Sequence, residues 1–435
     1  MTTTFPIPKD HSLRFNLHNE VHARTPISLK IPASTSFLAL ALNHEEKQLE
    51  RIHLAKLCDR YGITAPNESA SHFSATFDSF KMNWEDHAEF SSYSFFIRKN
   101  TDEPFSMLAL QEVPAEWLSQ LPGKIVVAAH ADIIQPTSPS VSSNEAISSF
   151  FSNNCIVGAE VTGGAARAFT DFKIHADGFS RFLIINSHLK SRQAGRLLQR
   201  LFDIEVYRVM ALLAYPVAKQ LIPELNNANK QLLSITSSMS ESPENANDNE
   251  LLDELTTLAA QIENNIATHQ YRFGAASAYY HIVEQRIEDL REVRIQGIQT
   301  IGEFMKKRLE PAISTCTSTS KRFNSLSKRI NNAGQLLRTR VDMTIERQNQ
   351  ALLTSMDLRA KMQLRLQETV EGLSIVAITS YIVGLIGSIT KAANTYEHID
   401  INPALATGLS IPVILIIVAL GVRRIHNKIH TWNED

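Results

Sequence analysis

Two short clusters hold the residue types that do metal or acid–base chemistry. The first is Leu17-His18-Asn19-Glu20-Val21-His22-Ala23-Arg24. Side chains alternate across an extended chain, so there His18, Glu20 and His22 point to one face. The second is Trp84-Glu85-Asp86-His87-Ala88-Glu89-Phe90, where the same rule puts Glu85, His87 and Glu89 together. If the two segments lie side by side, three imidazoles and three carboxylates converge. That donor set suits a divalent metal such as zinc, manganese or iron. The first cluster is not the HExxH pattern, which needs a helix to bring its two histidines onto one face. The same residues equally fit two surface strands whose polar faces meet solvent and form ion pairs. No Ser/His/Asp or Cys/His set is visible, so no catalytic residue is assigned. Cys155, following two asparagines, reads as a core or hairpin residue.

The elements that must position these clusters lie in an N-terminal region of alternating strand and helix signals. Apolar runs at Ser36–Leu42, Phe90–Arg98, Lys124–Ala129 and Phe182–Ile185 read as strands. Cys155–Val161 and Ala166–Ile174 form a hairpin around Thr162-Gly163-Gly164, which lacks the Lys-Ser/Thr of a phosphate loop. Glu45–Tyr61 and Ser191–Leu221 read as helices, the second ending before Pro223. The order predicts an α/β or α+β domain over 1–225.

The polar, acidic stretch SSMSESPENANDNE at 237–250 reads as a loop, within a partly disordered linker at 226–250. A long helical hairpin or stalk follows over 251–371. Its first helix carries the row Val283, Ile287, Leu290, Ile298, Ile301 and Met305, with Arg294 at the missing step. Pro311 stops or kinks it, and the run TCTSTS at 315–320 makes the turn. The second helix starts near Phe323 and carries Ile330, Leu337, Val341, Ile345, Leu352 and Met356. No proline interrupts it before 372, so it runs on as one helix of roughly 70 Å over 325–371. Such a stripe needs cover, either from the first helix or, as a coiled coil, from copies of itself in a homo-oligomer.

Two stretches near the C-terminus carry no charge: GLSIVAITSYIVGLIGSIT at 372–390 and INPALATGLSIPVILIIVALGV at 401–422. About 20 apolar residues cross a bilayer, so these read as transmembrane helices at 372–390 and 403–422 joined by an outer loop at 391–402. Arg359, Lys361 and Arg365 precede the first and Arg423, Arg424 and Lys428 follow the second, within a basic tail at 423–435. Positive flanks stay in the cytoplasm, so both termini are expected there. In the first span Ser380, Gly384 and Ser388 share one face. They fit close helix packing, within the hairpin or between protomers, and also a polar pathway. A pore mouth in the outer loop would have only Asn394, Glu397 and Asp400 to draw on.

Composition narrows the classes. The 435 residues include 43 Lys+Arg against 45 Asp+Glu, a formal charge of -2, which argues against a nucleic-acid partner. Three scattered cysteines, Cys58, Cys155 and Cys316, exclude a disulfide framework and fit a reducing compartment. The start, MTTTFPIPKDHSLRF, shows no apolar stretch behind a basic end, so no secretory signal is expected.

Several stretches together resemble a bacterial family of uncharacterised membrane-anchored proteins known only as a domain of unknown function. They are His11-Ser12-Leu13-Arg14 with His18–Arg24, then Trp84-Glu85 with His87 and Glu89-Phe90, then Tyr207–Pro216 and Gln363–Ser374. Thr25 departs from the proline usual before Pro26, and Ser380 from the aromatic expected beside Tyr381. The resemblance implies inner-membrane anchoring and no particular activity. The layout is also similar to CorA-type divalent-cation transporters, whose first span ends in Gly-Met-Asn; here Gly384-Leu385-Ile386 stands nearest, without the asparagine. Three functions follow in order: a membrane-anchored binding or scaffold module oligomerising through its stalk, a CorA-like transporter or channel, and a membrane-tethered metal-dependent enzyme.

Overall fold

The computed structural model describes residues 10–14, 27–68, 70–99, 103–135, 143–241, 248–396 and 402–430. The chain divides into a unit spanning 1–334 and one spanning 335–435.

The first unit is built on a nine-stranded mixed sheet. Its strands are β1 Ala33–Ala41, β2 His72–Thr76, β3 Lys81–Asp86, β4 Phe90–Arg98, β5 Lys124–Ile134, β6 Val157–Val161, β7 Ala166–Thr170, β8 Ser180–Asn186 and β9 Val293–Arg294. The spatial order is β2-β3-β4-β1-β5-β8-β7-β6-β9. β5 runs parallel to β8, and β1 runs antiparallel to both its neighbours. Central β1 is buried through eight of its nine residues, as a strand covered on both faces must be, and its second half, FLALA, is continuously apolar.

Helices cover both faces. On one lie α1 His44–Arg60, α2 Ala115–Ser119 and α3 Asn144–Phe150. Asn43 starts α1 through a reciprocal capping box with Glu46. Leu54 and Leu57 of α1 pack with Trp84, Tyr93 and Phe95 of the sheet. On the other face lies α4 Ser191–Leu212, whose Leu197, Leu198 and Leu201 meet Phe37, Ala129 and Ile184. Outside α4 the unit continues with α5 Ala214–Glu241, α6 Asp248–Leu290, α7 Ile301–Arg308 and the start of α8 Glu310–Tyr396. Leu225 and Leu232 of α5, Leu258 and Ile262 of α6, and Phe323 and Ile330 of α8 close a three-helix core.

Four local expectations give way here. Pro223 does not end a helix: the break falls at Leu213, and α5 runs through Pro223, which is exposed, so the carbonyl that it frees meets water. The expected loop at 237–250 is helical through Glu241 and again from Asp248. The row from Val283 to Met305 is not one helix. α6 stops at Leu290, Arg291 takes a positive φ of 52°, and β9 pairs with β6. Glu292 then accepts the Ile301 and Gly302 amides at 2.8 and 2.9 Å, opening α7. Pro311 falls in the first turn of α8, where its missing N–H costs nothing, and TCTSTS is helical, with Thr315 and Thr319 donating to carbonyls four residues back.

In the second unit α8 continues without interruption to Tyr396, and α9 spans Pro403–His430. Both helices are long and apolar enough to cross a membrane, and only 6% of each apolar window is buried, unlike a core helix. They meet where a Cβ on Gly387 would stand 2.9 Å from the Thr407 methyl.

One buried carboxyl tests the account of the first unit. Glu50 on α1 is fully buried and accepts from Ser91 at 2.8 Å. Trp84 Nε1 and Tyr93 Oη face it without meeting hydrogen-bond geometry. Burial raises its pKa more than the Ser91 bond lowers it. A pKa raised on folding makes stability full below the unfolded value and lost as pH rises through the folded one. Glu50→Gln is therefore expected to melt above the parent at pH 8 and level with it near pH 4, as followed by circular dichroism.

Candidate functional site

The sheet face under α4 changes character along its width. On β1, β5 and β8 it is mainly apolar, and the buried Ser180 hydroxyl there is satisfied by donating to Glu205 of α4 at 3.0 Å. On β3 and β4 it becomes polar: Asn83 stands opposite Ser94, and Glu85 opposite Ser92. Met82 and Trp84 alternate to the other face, where both are fully buried. Helix α4 therefore cannot seal this end by apolar packing, and a cleft remains between β3–β4 and the helix. Its sheet side carries Asn83, Ser92 and Ser94 and its helix side Leu198, Gln199 and Phe202. The empty space in and around it, open solvent at the mouth included, is about 550 Å³. Ile27 borders it, held by the Leu29 amide donating to the Ser191 carbonyl at 3.0 Å. Gly195 on α4 permits this approach, since a Cβ there would lie 1.8 Å from the Ile27 carbonyl oxygen.

A second, more open chamber of about 710 Å³ adjoins the first; Glu85, His87, Gln199, Asp203 and Tyr207 line both. Its outer wall is charged: Arg196, Arg200, Arg286 and Asp289. Arg286 donates to Asp203 at 2.7 Å. Burial alone would lower the Arg286 pKa, but the Asp203 charge and hydrogen bond hold it raised.

The second sequence cluster is at this mouth but only partly convergent. Glu85 and His87 come together, Oε2 to Nε2 at 3.6 Å, and His87 stacks on Phe90 at 4.3 Å. Glu89 does not join them. The strand ends at Asp86, and the His87 amide bonds the Phe90 carbonyl across a tight turn, so the expected alternation fails after His87. Glu89 turns to α6, where Arg272 binds it bidentately at 2.6 and 3.1 Å and Tyr279 donates at 2.8 Å. Asp86 points to the opposite face and pairs with Arg51 at 2.9 Å. His18, Glu20 and His22 lie outside the described residues, as do Glu397 and Asp400. Among the described residues no three His, Cys, Asp or Glu side chains are placed to hold a metal ion.

Ser380, Gly384 and Ser388 share one exposed face of α8, while the contact with α9 uses the neighbouring face, with Thr379 buried and Gly387 against Thr407. Asn394 lies in the last turn of α8. Cys155 is exposed rather than in the core. A Ser–His contact that the sequence does not reveal joins Ser36 to His130 Nδ1 at 2.9 Å. It is sealed in the sheet under Phe179, and burial pushes the His130 pKa down to about 4, so it is a neutral internal hydrogen bond without substrate access.

A family model described as "Protein of unknown function (DUF3422)" matches residues 9–429. The chain belongs to this family. No curated protein and no solved structure matches it. The likeness of a DUF3422 chain to CorA-type transporters accordingly finds no support. Membership carries no activity, so the chemistry of the cleft must be argued from its own residues.

Glu89 provides the check on this geometry. Burial would raise its pKa, but the Arg272 and Tyr279 hydrogen bonds outweigh it and hold the carboxyl below the usual range. A pKa lowered on folding adds stability above the unfolded value and loses it as pH falls through the folded one. Glu89→Gln is expected to cost about 1–2 kcal/mol at pH 7 by denaturant titration, with the difference shrinking below about pH 4.

Proposed function

We propose that this protein is a membrane-anchored cytoplasmic binding module that self-associates through its α8 stalk and takes a small ligand in the cleft beneath α4. The observation that carries the reading is α8. Its first residues belong to the core of the first unit, and its later residues form an apolar stretch of membrane-spanning length. α9 supplies the return span, with Arg423 and Arg424 at its end. Basic flanks on both spans favour a bacterial inner-membrane hairpin with both termini in the cytoplasm.

Self-association is supported by what α8 leaves uncovered before the span. Leu352 is 60% exposed, Met356 58%, Met362 67% and Leu366 67%. That density of apolar side chains on a helix outside the bilayer favours cover by other copies of the same helix.

A second reading, a metal-dependent site, is favoured by the Glu85–His87 pair at the mouth. Ile27, at the same rim, follows His22 by five residues, a reach of at most about 17 Å. Zinc, manganese or iron retained by the purified protein and lost in His87→Ala supports it; unchanged metal content removes it.

Light scattering of the detergent-purified full chain, corrected for bound detergent, tests the first reading. The expected result is carbonate-resistant membrane protein with a mass of at least two chains, falling to one chain in Leu352→Asp/Met356→Asp. A wild-type mass of 48.7 kDa, that of a single chain, contradicts self-association. Release into the carbonate supernatant contradicts anchoring.

A further inference from the structure

The inner chamber holds four uncharged hydrogen-bonding side chains with nothing to bond. Asn83, Ser92 and Ser94 line it from the sheet and Gln199 from α4. Among the described residues none of these four side chains has a hydrogen-bond partner. Ser92 is the most buried of the four, at 6% exposed. Asn83, Ser94 and Gln199 are half-buried, and the fold gathers all four hydrogen-bonding side chains without protein partners in one place. Elsewhere on this face the strands spend the same positions on Phe37, Ala129 and Ile184, which pack under α4. The polar set is a recognition surface and not a packing solution.

Its chemistry narrows the guest. Two carboxamides each offer an N–H pair beside a carbonyl, and two hydroxyls donate or accept as required. Such a set complements a molecule with N–H donors and carbonyl or ring-nitrogen acceptors side by side along one edge. The walls are aromatic, Phe37, Phe90, Phe96 and Phe202. They favour a flat ring by stacking and disfavour a charge, which would be stripped of water there. The charged groups gather at the rim shared with the outer chamber, Glu85, His87 and Asp203, and beyond it at Arg196 and Arg200. The ring therefore enters first, and its polar substituent remains at the mouth.

We propose that the cleft between β3–β4 and α4 binds an uncharged, nucleobase-like heterocycle, with Asn83, Ser92, Ser94 and Gln199 reading its hydrogen-bonding edge and a sugar-like substituent directed to the outer chamber. The proposal deepens the reading of this domain as a ligand-binding module and rests on it.

Titration calorimetry of the full-length protein in detergent micelles with guanosine, adenosine, cytidine and uridine, each to 1 mM, tests it. At least one nucleoside is expected to bind saturably. Ser92→Val and Asn83→Leu are each expected to weaken that binding tenfold or more without lowering the melting temperature. Ser94→Ala, the mildest change, is the second measurement should either variant fold poorly, and is expected to weaken binding in the same direction. Absence of binding by all four nucleosides, or binding indifferent to all three variants, overturns the proposal. Native mass spectrometry of the protein as purified separates the two levels of the claim. A co-purifying compound of another class that is lost in Ser92→Val overturns the nucleobase assignment while keeping the cleft as a ligand site. Absence of any bound compound together with absence of nucleoside binding removes both.

Discussion

The constraint on which the site depends is a change of polarity along one sheet face. Under α4 the central strands present Phe37, Ala129 and Ile184, and the helix packs on them as a sheet-covering helix must. On the adjoining β4 and then β3, the sheet presents Asn83, Glu85, Ser92 and Ser94 to the same helix. Apolar packing cannot continue across that boundary without burying unmade hydrogen bonds, so the helix and sheet part there. The cleft is thus a consequence of side-chain alternation in two strands whose other face, Met82, Trp84, Tyr93 and Phe95, is fully packed.

A parted edge needs support, and the structure supplies it from far along the chain. The turn between β3 and β4 carries Glu89, which Arg272 and Tyr279 of α6 hold through three charge-assisted contacts. Tyr207 on α4 stacks on Tyr279 at 5.5 Å and meets Phe90 edge-on at 5.8 Å, joining the same corner. At the opposite rim Gly195 admits the Ile27 backbone against α4. One rim is held by ion pairing and aromatic contact, the other by close backbone approach, and the polar floor lies between them.

The strands made of unbroken apolar runs were legible in the sequence, because a strand buried on both faces has no polar alternation to confuse it. FLALA in β1 and FLII in β8 are of this kind, while KIVVAA in β5 was legible as an apolar run although Ile125 at its start is exposed. β2 and β3 escaped because HFSAT and KMNWED are half polar, and the polar half faces the edge and the cleft. Breakers misled where tertiary context absorbed them: exposed Pro223 inside α5, Pro311 in a first turn, and hydroxyls bonded back to their own helix in TCTSTS. β9, two residues long, exists only through its pairing with β6. At the site, the spacing of Glu85 and His87 sufficed to bring them together. Glu89 left them because a turn intervened, and its partners lie 183 and 190 residues away, beyond any local pattern. The clearest missed signal was Ser92 and Ser94, two polar residues one period apart on one face of the largely aromatic strand FSSYSFFIR.

The claim that this polar face serves a ligand and not the fold is most directly tested by replacing it. Thermal unfolding of Asn83→Val/Ser94→Val should show a melting temperature raised by about 2 °C, because two groups without partners in the free protein are exchanged for packing against Phe37 and Phe96. A melting temperature lowered by a similar amount would show that Asn83 and Ser94 hold the fold together, and would contradict the account of the cleft.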